Sequence, residues 1–304
     1  MASIGSLLFN QNSLIKISNQ KLIFPFYHAI TDEVPLHLKH LYLPRRVQQF
    51  KDDLEYLLRY YQPISLSELL EVKKGKKELI KNAFHLTFDD GLSQFYDVAA
   101  PILKEYGVPA TVFLNSSFID NKELFYRFKA SVLFDELNDP SILSIPYSDR
   151  RKLDELAQQN GIDFASYLKE QQPYLSSEQI KILMEQGFTF GAHSIDHPLY
   201  HQLTIEEQLH QTEESVQKVN NQFDTGYKVF SFPFTDDGVD TSFFENIRGK
   251  VDATFGCAGL KKQEYDFHYQ RILMETNGEA KQILKTEYLY YLMKGVIGRN
   301  KVIR

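Results

Sequence analysis

Two stretches carry side chains whose types and spacing could do chemistry. In HLTFDDG, Asp89 and Asp90 stand side by side at the end of an apolar run; in GAHSIDHP, His193 and His197 are four residues apart, flanked by Gly191 and Pro198. In a helix or a tight turn that spacing aims two imidazoles at one point. One divalent ion held by two neutral imidazoles and one carboxylate keeps positions open for water and substrate. Such a site asks for one acid, and the aspartate pair supplies one more. Adjacent residues at a strand end point in different directions, so one carboxylate can ligate the metal while its neighbour faces the metal-bound water as a base. Zn suits this donor set first, and Co, Fe or Ni also fit. Plainer readings stand beside each piece. Asp-Asp-Gly is a common turn, and His193 equally suits a hydrogen-bonded core position. Two histidines and a carboxylate also describe a non-haem iron oxygenase, in which the second aspartate would have no role.

The elements around these residues alternate. KLIFPFYHAI (21–30) reads as a buried strand, and PRRVQQFKDDLEYLLRYY (44–61) as an amphipathic helix through Val47, Phe50, Leu54, Leu57 and Leu58. A short strand and helix in ISLSELLEVKKGKK precede a second buried strand, NAFHLTFDD. LSQFYDVAAPILKEYG has helical periodicity with a stop at Gly107, and VPATVFLNSSF opens another strand. Strand signals return at GFTFGAHS, YKVFSFPF and VDATFGCAG, with the helix EEQLHQTEESVQKVNNQF between the first two. Between about 121 and 187 the pattern is mainly helical, which reads as an insertion. Alternation of this kind predicts parallel βαβ units in an α/β barrel or doubly wound sheet, with chemistry at the strand ends.

With 304 residues, 43% of them hydrophobic and 24% charged, the chain has material for a full core, and no repeat or low-complexity linker divides it. One domain over 1–304 is expected. A net charge of −6 without a basic block argues against nucleic acid as a partner. The one cysteine, Cys257, excludes an internal disulfide and a cysteine-based zinc cluster. The first twenty residues lack a cationic start followed by an unbroken apolar stretch, and no run approaches the ~20 apolar residues of a membrane span. A cytoplasmic location is therefore expected.

TFDDG (87–91) and HSIDH (193–197), with APILKEYGVPATVFL after the first and LSSEQIKILMEQGFTFGAHSIDHP running through the second, resemble the first two motifs of the polysaccharide deacetylases, the NodB-homology proteins of carbohydrate esterase family 4. The resemblance covers about residues 22–275. It implies a distorted TIM-like (β/α)7 barrel and metal-dependent removal of an acetyl group from an N-acetylated amino sugar. On that resemblance Asp89 is the general base, and Asp90, His193 and His197 hold the metal.

FSFPFTDDG resembles the family's third motif, with Ser231 where an arginine is expected and Phe234 where a tyrosine is. The backbone N–H of Phe234 can still serve the oxyanion. The missing arginine would orient the base; Arg271, in YQRILME, is the candidate to replace it from another strand end, with a core-edge salt bridge as its plainer role. The late histidine and the Trp-bearing fourth motif are absent as well. FYHAITDE (26–33) resembles the Tyr-His segment of the branch that deacetylates biofilm poly-N-acetylglucosamine, which makes His28 the candidate acid for the leaving amine; His268 is the weaker alternative. Loss of the arginine and the late histidine also leaves room for a catalytically silent sugar-binding member of the fold.

Lys73 to Lys77 reads as a solvated turn, Cys257 as core, and Phe125, Tyr126 and Phe128 as a helix packing on the barrel rim rather than a sugar groove. The expected partner is a carbohydrate bearing N-acetylhexosamine.

Overall fold

Among the described residues eleven short strands form: β1 (Leu22–Ile23), β2 (Pro25–Tyr27), β3 (Gln62–Pro63), β4 (Ala83–Phe84), β5 (Leu86–Phe88), β6 (Ala110–Leu114), β7 (Thr189–Ala192), β8 (Val229–Ser231), β9 (Ala253–Gly256), β10 (His268–Gln270) and β11 (Ile272–Leu273). The structure, a computed structural model, describes residues 10–304. Met1–Phe9, the start of the segment read above as lacking a leader, lies outside them. Eight strands form one parallel sheet in the order β10-β9-β8-β7-β6-β5-β2-β11. Every residue of β2, β5, β6, β8 and β9 is buried. Parallel strands covered on both faces need such continuous apolar runs.

The two ends of the sheet, β10 and β11, are consecutive in the chain and separated by the single residue Arg271. Counted as one interrupted strand they make the barrel nearly closed and seven-stranded, as the (β/α)7 expectation has it. Arg271 therefore sits at the seam.

KLIFPFYHAI and NAFHLTFDD do not each form one strand. Both break, at Phe24 and His85, and their first halves pair in a separate three-stranded sheet of order β1-β4-β3. Pro25 has no N–H to continue the first ladder, and the His85 ring bridges Ile64 O and Thr111 Oγ1 at 3.0 Å each.

The helical insertion is shorter than 121–187. Its helices Tyr126–Leu137, Arg151–Gln159 and Phe164–Gln171 share an apolar cluster with Phe125, Phe128, Leu133, Leu153, Leu168 and Tyr174. The helix Ser177–Glu185 instead gives Ile180 and Leu183 to the barrel core. Outside 22–275, Leu14, Ile15, Leu284, Tyr288 and Tyr291 also join that core, so the packed unit extends past both ends of the expected span. Among the described residues no helix is long and apolar enough to cross a membrane.

Candidate active site

The sequence's candidate residues arrive together at the C-terminal ends of the barrel strands. His28 follows β2, Asp89 and Asp90 follow β5, His193 and His197 follow β7, and Phe234 lies three residues past β8. That is the end at which parallel barrels assemble sites from separate loops. A cavity of about 380 Å³ is lined by His28, Asp89, Asp90, His197 and Phe234, with Glu275, Tyr42, Leu273 and Phe125 among its walls. A larger depression, about 600 Å³, lies between the helices Val47–Tyr60 and Ala280–Val296 and contains none of these groups.

Asp89 is 2% exposed and its two oxygens each accept from Arg271, Nη1 to Oδ1 and Nη2 to Oδ2, both at 2.7 Å. The same guanidinium donates to Thr87 Oγ1 and Gly256 O at 3.1 Å, so its fork is fixed from both sides of the barrel seam. The Ser231 hydroxyl donates to Asp89 Oδ1 at 3.3 Å. Burial alone would raise the carboxyl's pKa; the charge and hydrogen bonds of Arg271, together with the nearby His193 and His28, outweigh it and hold Asp89 below the usual carboxylate range. Arg271 thus orients the residue expected to be the base, while Ser231, in the place of the family's arginine, contributes one bond of its own.

His193 donates its Nδ1–H to Ser231 O at 2.8 Å, which leaves the lone pair of Nε2 facing Asp90 Oδ1 at 3.6 Å. Burial pushes its pKa down to about 4, so the imidazole is neutral. His197 Nε2 is 3.2 Å from the same Asp90 oxygen. Its ring packs against both Phe125 and Phe234, 4.5 Å from each centroid. The ligand-capable atoms of Asp90, His193 and His197 all fall within 4.8 Å of one another, and Asp90 Oδ1 is buried with no hydrogen-bond partner. Two imidazoles converging on an unpartnered carboxylate oxygen fit a divalent cation.

Backbone conformation holds this cluster. Asp90, Ser194, His197 and Phe234 have φ of 69, 73, 64 and 55°, left-handed values that side chains rarely adopt. Gly91, at φ 61°, also lies where a Cβ would come within 2.6 Å of Leu114 Cδ2. Asp196, inside the HSIDH turn, accepts from Tyr147 of the insertion at 2.6 Å and from Gln211 of the helix Ile205–Phe223 at 2.8 Å. HSIDH is therefore a braced loop and not a helix turn.

His28 Nδ1 is 2.5 Å from Glu275 Oε2, and the Glu275 carboxylate also accepts the backbone N–H groups of His28 and Ala29 at 2.9 Å. Burial disfavours the imidazolium, but the Glu275 charge and hydrogen bond raise its pKa to about 9. Phe234 N–H donates to no acceptor among the described residues.

Several expectations change. His268, the alternative acid, is not in the cavity: its Nε2 is 3.0 Å from Asp236 and its Nδ1 2.8 Å from Thr254 Oγ1, inside the core. Phe125 and Phe128 do line the cavity, although Tyr126 does not. Cys257 is half-buried, its Sγ–H donating to Phe234 O at 2.9 Å. In the Lys73 to Lys77 turn, Lys77 pairs with Glu68 and Lys73 donates to Asp252 O. Sequence reasoning missed Glu275 and Asp196. Neither has a local signal, since Glu275 meets His28 across 247 residues.

A parallel barrel with a cluster of carboxylates and imidazoles at its strand ends is the class of fold and site, and comparison with known proteins specifies the family. The polysaccharide deacetylase family profile matches residues 76–244, and the chain belongs to that family. It is 21% identical over 264 residues to YxkH of Bacillus subtilis (strain 168), which carries a polysaccharide deacetylase name, covering 86% of this chain and 74% of that protein. It is 30% identical over 95 residues to the poly-beta-1,6-N-acetyl-D-glucosamine N-deacetylase of Escherichia coli (strain K12), 31% of this chain and 14% of that one. In fold it is similar to the Streptococcus pyogenes deacetylase PplD, solved with acetate, at a TM-score of 0.59, 17% identity, 88% of this chain and 97% of that one.

Proposed function

We propose that this protein is a metal-dependent N-deacetylase of an N-acetylated amino sugar in a glycan or glycan precursor. The observation that carries the reading is the Arg271 fork on Asp89, next to the Asp90, His193 and His197 donors and in one cavity with the His28–Glu275 pair. A divalent cation held by Asp90, His193 and His197 would supply Lewis acidity to water and to the acetyl carbonyl.

Asp89, kept anionic by Arg271, takes a proton from water as the water oxygen bonds to the acetamide carbon. Phe234 N–H is free to donate to the resulting oxyanion, a contribution of about 3 kcal/mol for one such donor. The His28 imidazolium gives its proton to the nitrogen as the carbon–nitrogen bond breaks, releasing acetate and the amine. Glu275 holds that ring in place and keeps it charged. Phe125, Phe128, Leu41 and Leu273 wall the cavity with apolar surface suited to the face of a sugar and its acetyl methyl. A cytoplasmic setting, with a biosynthetic intermediate as substrate, belongs to the same proposal.

The test is acetate release from N-acetylglucosamine oligomers and precursor sugars by the metal-loaded enzyme and by Asp89→Asn. Release that needs the cation and disappears in the variant supports the reading. A folded, metal-loaded protein that released nothing from any of them would favour the silent sugar-binding alternative, and oxygen consumption with a 2-oxo acid would favour an oxygenase.

A further inference from the structure

One surface of the molecule has no part in this chemistry. The helix Ala280–Val296 buries Ala280, Leu284, Tyr288 and Tyr291 against the barrel, the inward stripe of a surface helix. Its outward face should then be polar, and over the last two turns it is not. Tyr290, Met293, Val296 and Ile297 are 46, 66, 88 and 60% exposed, and Ile303 beyond them is 83% exposed. These are five of the eleven exposed large apolar side chains among the described residues, gathered between positions 290 and 303.

Cations lie beside two of them, Tyr290 and Ile303. Lys261, Lys294, Arg299 and Lys301 line one depression of about 470 Å³ together with Tyr290 and Ile303. Among the described residues none of the four pairs with a carboxylate within salt-bridge distance. The same wall holds Asp237, and Asp236, which is already neutralised by Arg304 at 2.5 Å. From Ala280 to Arg304 six Lys and Arg face one Glu, in a chain whose net charge is −6.

An outward apolar face bordered by cations without carboxylate partners, on an otherwise acidic protein, matches the interface of an anionic bilayer, where apolar side chains enter the headgroup boundary and lysines meet phosphates. Charge selects this occupant over a second copy of the chain: a two-fold contact would set the basic patch against itself, and like charges oppose it. We propose that the end of the C-terminal helix and the tail after it dock the protein peripherally on an anionic lipid surface. The docking face adjoins the active site. Thr235 and Asp236 border the basic depression and follow directly on Phe234, which walls the cavity.

Flotation of the full chain with vesicles tests this. Binding is expected to vesicles of phosphatidylcholine with phosphatidylglycerol, not to phosphatidylcholine alone, and is expected to weaken with salt. Val296→Glu with Ile297→Glu should abolish it, and Lys294→Glu with Lys301→Glu should weaken it about tenfold or more. Because all four side chains lie outside the cavity, acetate release from a soluble substrate should be unchanged in both variants. No flotation of the wild type, or equal flotation of wild type and the Val296→Glu, Ile297→Glu variant, overturns the proposal. So does a concentration-dependent dimer in sedimentation that the same variant dissolves, which would assign the face to a second copy.

Discussion

At His28 two opposing effects meet. Removing the imidazole from water disfavours its charge, while the Glu275 carboxylate at 2.5 Å favours it, and the balance lies at about 9 against an ordinary 6.5. Asp90 and Asp89 add to the upward push, and a cation at Asp90 would cancel part of it, leaving Glu275 as the dominant support. The folded pKa is raised, so the stabilisation from the pair is complete below about 6.5 and is lost as pH rises through about 9. The acid form persists over the same range. In Glu275→Gln the imidazole keeps the burial and loses the charge, so the alkaline limb of the kcat profile should move down from about 9 toward 6.5 or below. Measuring kcat for acetate release against pH decides it; an unmoved limb would remove His28 as the acid. Arg271 offers a second residue-scale prediction. Arg271→Lys keeps the charge but loses the two parallel bonds to Asp89, and kcat should fall on the order of 10²-fold with KM little changed. Steady-state kinetics with unaltered metal content would check it. Full activity would mean that Ser231 suffices to orient the base.

Between elements, one buried ion pair ties the helix Val47–Tyr60 to the barrel beside the active site. Arg45 and Asp53 are 2% and 1% exposed and share two hydrogen bonds, 2.8 and 2.6 Å; Asp53 also accepts from Tyr27 in β2, and Arg45 donates to the carbonyl of Thr276, next to Glu275. Asp53→Ala strands a buried guanidinium and should destabilise the fold by about 3–5 kcal/mol, read by denaturant unfolding, and should loosen the Glu275–His28 pair, read as a lower kcat at alkaline pH. An exposed pair such as Lys152–Asp149 removed in the same way should leave stability nearly unchanged. The elements themselves were largely legible in the sequence, because continuous apolar runs between amphipathic helices have few alternatives to a parallel sheet. Their interruptions were not. His85 breaks its strand through partners at Ile64 and Thr111, and the helix Ser177–Glu185 joins the barrel through Ile180 and Leu183, contacts made by residues far along the chain. Asp89 with Asp90, and His193 with His197, could be read locally because each pair lies within five residues. Glu275, Asp196 and the seam position of Arg271 could not, since only barrel closure brings them to their partners.

Across the whole molecule, the site connects parts of the barrel that the sheet joins only indirectly. Arg271, between the two end strands, grips Asp89 at the end of β5, and Asp90 beside it faces His193 and His197 from the loop after β7. A cation there would cross-link the β5 and β7 loops over β6, in addition to the backbone ladder. Binding the assembled barrel and not the unfolded chain, it would stabilise by RT ln(1 + [L]/Kd), about 2.7 kcal/mol at a hundredfold excess over Kd. A chain of 304 residues has an unfolding entropy of roughly 0.6 kcal/mol/K, so that stabilisation should raise Tm by about 4 °C. Treatment with a chelator should therefore lower Tm by about that amount and abolish acetate release, and restoring the cation should recover both. In His197→Ala the chelator should change Tm little, because one of the three donors is gone. In Asp89→Asn the shift in Tm should survive while turnover does not, separating the residue that acts on water from the three that hold the ion. A Tm that ignores the chelator in the wild type would mean that the Asp90, His193 and His197 cluster is held by the protein alone, and the route from site to hydrolysis would have to start elsewhere.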